Sequence, residues 1–152
     1  MPSRRSVLAS SLAVTASGCL SAVTESSDTD DELPSIEESP SWLHQDVDCY
    51  PKGSLDLSER TDSVNDSTAV ADYDGLSANS KLVVRFAAQH GTARTCVDAG
   101  ATAFVRLLGD LMDHATDPYR EIHDERPLSI AIRTGDRYYP INEMTAYDQV
   151  LV

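Results

Sequence analysis

Seven apolar residues, Ala101, Phe104, Val105, Leu108, Leu111, Met112 and Ala115, recur at three- and four-residue steps. A stripe of that kind is stable only when another layer covers it, so the rest of the chain has to supply that layer. The spacing predicts a helix over residues 98–115. Asp98 is its N-cap, Arg106, Asp110 and Asp113 lie on its wet side, and Pro118 ends it. A shorter helix precedes it. Ser77 is placed to cap it, Leu82, Val83, Phe86 and Ala87 form its apolar side, and Gly91 suits its C-terminus. Asn79, Lys81, Arg85 and Gln89 fall on the opposite side.

The second layer reads as strands. Residues 68–73 form a short apolar strand. Leu128, Ile130 and Ile132 alternate with Ser129, Ala131 and Arg133, and Gly135-Asp136 suits a two-residue hairpin turn with Gly first. That register sets Ile132 opposite Tyr139 and Ile130 opposite Ile141, with Arg133 and Tyr138 on the other face. Pro140 has no amide hydrogen, so its amide side must meet an edge or a bulge. A last strand falls within residues 147–151. Trp42, Leu43, Val47 and Tyr50 make a first apolar cluster, and residues 56–66 read as a loop. The expected fold is α+β. It is a small single domain over residues 41–152, with two amphipathic helices packed on a short antiparallel sheet that ends in a β-hairpin.

The residues ahead of this domain carry a different pattern. Arg4 and Arg5 precede a short, mildly apolar run that ends in Ala16-Ser17-Gly18-Cys19. The run is shorter than the roughly 20 apolar residues a membrane-spanning helix needs, which points to a signal peptide over residues 1–18. Ser3-Arg4-Arg5-Ser6-Val7-Leu8 resembles the twin-arginine export signal, with Val7 where Phe is usual and Ala9 where Lys is usual. Ala16 to Cys19 resembles a lipobox, with Ala16 in place of the usual Leu. These resemblances imply export in the folded state and lipidation of Cys19, giving a domain anchored to the outer face of the cell membrane. Residues 19–40 are rich in Asp, Glu, Ser and Thr and read as an acidic disordered linker.

The chain has 25 acidic and 12 basic residues, a net charge of −13, and only two lysines, Lys52 and Lys81. Removing Arg4 and Arg5 with the signal leaves 10 basic residues against 25 acidic, a charge of −15. Self-repulsion of this size is screened at molar salt, where the Debye length is about 3 Å. An Asp-rich, Lys-poor composition resembles proteins of salt-loving archaea. It also excludes nucleic acid as a partner, since phosphates are held by a basic face. The order helix, helix, hairpin over about residues 70–143, ending Gly135-Asp136-Arg137-Tyr138-Tyr139, resembles a small domain of haloarchaeal secreted proteins. That group brings no activity to carry over.

Four sets of residues could carry chemistry. Cys49 and Cys96 remain once Cys19 is lipidated, and an even number outside the cell favours a disulfide. Asp110, Asp113, His114 and Asp117 recur at helical steps and could offer oxygen ligands to Ca²⁺ or Mg²⁺. The competing reading, a solvated acidic face, is favoured, so no metal and no cofactor is expected. Arg133, Arg137 and Tyr138 form a basic-aromatic spot at the hairpin tip, a candidate interaction patch. Local ion pairing is the competing explanation there. His44, Cys49, His90, Cys96, Met112 and Met144 do not have the spacing of a blue-copper loop. No nucleophile motif and no phosphate loop occurs. The expected function is therefore a membrane-anchored, extracellular, non-enzymatic binding or interaction module for a protein or small molecule. The alternative is a small metal-dependent hydrolase using the region from Asp110 to Asp124.

Overall fold

The structure is a computed structural model that describes residues 32–151. The export signal expected at Arg4 and Arg5, the lipidation expected at Cys19 and the first part of the expected linker lie outside the described residues.

The hairpin forms in the expected register as far as the Ala131–Pro140 pair. Strand β4, Ser129–Thr134, pairs with β5, Arg137–Ala146, so that Ile132 faces Tyr139 and Arg133 faces Tyr138. The expected Ile130–Ile141 pair does not form, because β4 leaves β5 there and Ile141 pairs with Leu57 instead. Gly135 takes a positive φ of 53° at the first turn position, a conformation that costs a residue without Cβ little. Pro140 sits within β5, and its carbonyl accepts the Ser58 amide at 2.8 Å. An extended residue points its N–H and C=O to the same side, so the missing amide hydrogen also faces Ser58. There the ladder is already interrupted by a register shift between Asp56 and Leu57.

The strand opposite that shift is β1, Gly53–Leu57, which pairs with β5 on one side and with β3, Thr92–Thr95, on the other. Both were missed in the sequence, where residues 56–66 read as loop. Leu55 and Leu57 alternate with Ser54 and Asp56, and Ala93 and Thr95 with Thr92 and Arg94, too few large apolar residues to signal strands alone. The remaining strands are β2, Thr68–Asp72, and β6, Gln149–Val150. Tyr147, expected in the last strand, instead starts the turn before β6 with φ 54°. The sheet has six strands in the order β2-β4-β5-β1-β3, with β6 beside the end of β5. It is mixed and not wholly antiparallel, because β2 runs parallel to β4. A parallel pair needs a long crossover, and that crossover holds all the helices.

The helices are α1, Ala78–His90, α2, Asp98–Leu111, and α3, Asp117–His123. Gly91 follows α1, as its sequence suggests. Two details of α2 differ from expectation. Val97 holds the N-cap position and Asp98 is the first helical residue, where it pairs with Lys52 at 2.7 Å. The buried stripe is also wider and rotated: Ala103, Leu107 and Asp110 are buried, while Val105 is exposed. The reason is that α2 is covered twice, by β1 and β5 on one side and by α1 on another.

Pro118 does not end the helical run. The ladder widens over Met112–Thr116 into a π-turn, in which the Asp117 N–H donates to the Met112 carbonyl, and α3 follows with Pro118 in its first turn. A wider turn relieves the clash between a proline ring and the preceding carbonyls, and the first turn of a helix needs no amide hydrogen there.

The core lies between this helical layer and one face of the sheet, around Phe104, Leu55, Leu107, Leu111, Ile132 and Met144. β1 lies so close to α2 that a Cβ at Gly53 would sit 2.6 Å from the Phe104 ring. Residues 32–40 are also engaged. The Arg85 guanidinium donates to the carbonyls of Pro34 and Ser35, both at 2.8 Å, and the Ile36 amide donates to Gln89 at 3.1 Å. Leu33 and Ile36 pack against the core. The packed domain therefore begins before residue 41, because the wet side of α1 carries the two side chains that hold this segment.

Candidate functional site

Cys49 and Cys96 form a disulfide with a Cα separation of 6.0 Å. It joins the segment before β1 to the loop between β3 and α2. The same segment is held by a backbone bridge, His44 to Arg94, with N···O distances of 2.9 and 2.7 Å. The fastening is complete at the side-chain level too. On the sheet face away from the helices, Ser54 and Thr145 hydroxyls share a hydrogen bond at 2.8 Å, and Thr92 donates to Asp56. Arg94 lies 3.7 Å from the same carboxylate.

The acidic run starting at Asp110 does not converge. Among the described residues, no group of three His, Cys, Asp or Glu side chains is placed to hold a metal ion. Asp110 was expected on the wet side but is buried, and its carboxylate accepts the Ser77 amide at 2.9 Å and the Ser80 hydroxyl at 2.6 Å. Ser77 is at the N-cap position of α1, as its sequence suggests, but its side chain makes no cap bond; the Ser77 amide itself, one of the unpaired donors at the helix start, is met by Asp110 of the neighbouring helix. Burial pushes the Asp110 pKa up, but the hydrogen bonds from Ser80 and Ser77 and the nearby Arg106 together hold it below the usual carboxylate value. Asp113 and His114 are exposed, and Asp117 lies 4.0 Å from Arg120.

The basic-aromatic spot is likewise locally paired. Arg133 donates to Asp72 at 2.6 Å, and that partner raises its pKa further. Arg137 is paired with Asp62, and Tyr138 exchanges backbone hydrogen bonds with Thr61.

A cleft that no sequence motif announces lies at the other end of the sheet. β4 parts from β5 after the Ala131–Pro140 pair, and β6 takes up the same edge of β5 only at Thr145. The gap is roofed by the π-turn and the start of α3. It measures about 270 Å³ and is lined by Met112, Thr116, Arg120, Arg126, Pro127, Leu128, Ser129, Ile130 and Leu151. Its walls are mostly apolar, and Leu128 is 81% exposed. Among the described residues its lining contains no carboxylate, although the chain carries a charge of −13.

Two polar groups in this lining have no protein partner among the described residues. Thr116 is 8% exposed, and its hydroxyl has no hydrogen-bond partner among the described residues. A buried hydroxyl left unpaired costs about 1–3 kcal/mol. The Arg126 side chain is exposed and forms no ion pair or hydrogen bond among the described residues. Arg120 has only the long contact to Asp117, between groups each 52% exposed, which is weak. The one sequence signal for the cleft was Pro118 inside a helical pattern, the point at which the ladder has to deform. Among the described residues, no helix is long and apolar enough to cross a membrane. Searches against protein-family models, curated proteins and solved structures find no match.

Proposed function

We propose that this protein is an exported, membrane-tethered binding module for salt-rich surroundings, with the cleft beneath the π-turn as its ligand site. The observation that carries this reading is the buried, unpartnered Thr116 hydroxyl beside the unpaired, exposed Arg126 on a mostly apolar cleft. Elsewhere the candidate polar groups are engaged in holding the fold: Asp110 caps α1, and Arg133 and Arg137 have carboxylate partners. Tethering rests on the twin-arginine pattern and on Cys19, and a disulfide between Cys49 and Cys96 suits an oxidising exterior.

Two experiments test the two halves of the proposal. Changing Arg4 and Arg5 to Lys should leave the protein inside the cell, and membrane fractions of the wild type should contain Cys19 lipidated with residues 1–18 removed. Unchanged export would remove the twin-arginine assignment. For the site, a fragment mixture titrated into the exported protein at molar salt should move amide resonances at Met112, Thr116, Ile130 and Leu151. Responses confined to the hairpin tip or to the acidic-run residues Asp113, His114 and Asp117 would overturn the choice of site.

A further inference from the structure

We infer that the cleft takes a small amphipathic monoanion, a single carboxylate on a short apolar chain or ring. The inference rests on the cleft being the ligand site and adds the chemistry of what fills it.

Three observations point to that class. The cleft is apolar where it is deepest, between Met112 of the roof and Ile130 and Leu151 below, so the buried part of the ligand is apolar. At about 270 Å³ the space is near the lower end of ligand pockets, roughly 300 Å³, so that part is short. Among the described residues the charged lining is Arg120 and Arg126 with no acid, and guanidinium groups match a carboxylate in planar, two-point geometry. Thr116 supplies a hydroxyl that no described protein group engages; its oxygen is buried, and a change of rotamer would bring it to a second carboxylate oxygen.

The number of charges on the head is limited from the outside. Asp117, Glu121, Asp124 and Glu125 line a second hollow that shares Arg120 and Arg126 with the cleft. These carboxylates repel multiply charged or wholly hydrophilic anions, whereas an apolar tail still gains from the apolar part of the cleft. The two rims therefore select together: the arginines favour a negative head, and the acids behind them favour only one charge.

The test uses the exported protein at molar salt and three probes with the same eight-carbon tail, octanoate, octanol and octylammonium, with acetate as the head alone. Octanoate should saturate the resonance shifts at Thr116, Ile130 and Leu151 and bind about tenfold or more tightly than octanol, as one charged hydrogen bond provides. Acetate and octylammonium should not saturate. Arg126→Ala should remove the preference for octanoate over octanol, and Thr116→Val should weaken octanoate without lowering the melting temperature. Octanol binding as tightly as octanoate, or octylammonium binding better, would overturn the anionic head while leaving the cleft as a ligand site. No saturable response to any of the tailed probes would overturn both.

Discussion

Asp110 and Thr116 lie on the same helical run, both buried and both polar, yet they belong to regions built on opposite terms. At the α1–α2 junction the Asp110 carboxylate is met by an amide and a hydroxyl from α1. One turn further on, where the ladder widens, the Thr116 hydroxyl meets nothing. The opposite end of α2 is fastened as well, by the disulfide, the His44–Arg94 bridge and the close helix–sheet approaches at Gly53 and Gly100. The region around Thr116 contains the gap between β4 and β6 and an arginine without a partner among the described residues. A small domain can leave polar groups unsatisfied at one end because the other end supplies its stability. Those groups are then free for a ligand.

The largest effect should come from opening the fastened end. Cys49→Ser or Cys96→Ser releases a link with a sequence separation of 47 residues, worth about 4 kcal/mol in the chain-entropy treatment. The melting temperature should fall by roughly 15 °C. A shift of only a degree or two would mean that the His44–Arg94 bridge holds the segment alone.

Asp110→Ala comes next, with a loss of about 3 kcal/mol, since it strips a bond from the Ser77 amide and leaves the fully buried Ser80 hydroxyl short of its acceptor. Its pH dependence has a definite sign. The folded-state pKa of Asp110 is lowered, so its contribution is complete above the unfolded value of about 3.9 and is lost as pH falls through the folded value. Urea unfolding of wild type and variant should therefore converge as pH drops from about 5 towards 3. A constant gap would show that Asp110 acts by packing and not by charge.

A smaller contrast separates the helices themselves. Amide exchange in α3 should be faster than in the buried turns of α1, because α3 has seven residues and only Tyr119 is buried. The Tyr119 hydroxyl does bond the Asp66 carbonyl at 3.1 Å, so Tyr119→Phe should widen the contrast. Equal protection in both helices would remove the distinction between a fastened and an open end.

The fastened end was only half visible in the sequence, and the open end hardly at all. Leu82, Val83, Phe86 and Ala87 marked α1 because apolar residues at helical spacing state their own period. Gly135-Asp136 set the hairpin register because a two-residue turn allows one pairing. The strands β1 and β3 escaped notice because their inward positions include Gly53, Ala93 and Thr95, small residues whose burial follows from the neighbours and not from their own hydropathy. Asp110 was misplaced for a related reason: periodicity assigns a carboxylate to water, and only the position of Ser77 and Ser80 on another helix reverses that. The cleft brings together Thr116, Arg126, Ile130 and Leu151, which share no local pattern. They meet because β2 draws β4 away from β5, a consequence of topology.

The most direct measurement compares two nearly isosteric replacements in one molar-salt buffer, Asp110→Asn and Thr116→Val, by urea unfolding at pH 7. The account predicts opposite signs: Asp110→Asn destabilises by about 2 kcal/mol, and Thr116→Val is neutral or stabilises by about 1 kcal/mol, since it removes a buried hydroxyl that has no partner. A loss on Thr116→Val as large as that on Asp110→Asn would show that the Thr116 hydroxyl already serves the fold, and the cleft would lose its claim to be a ligand site.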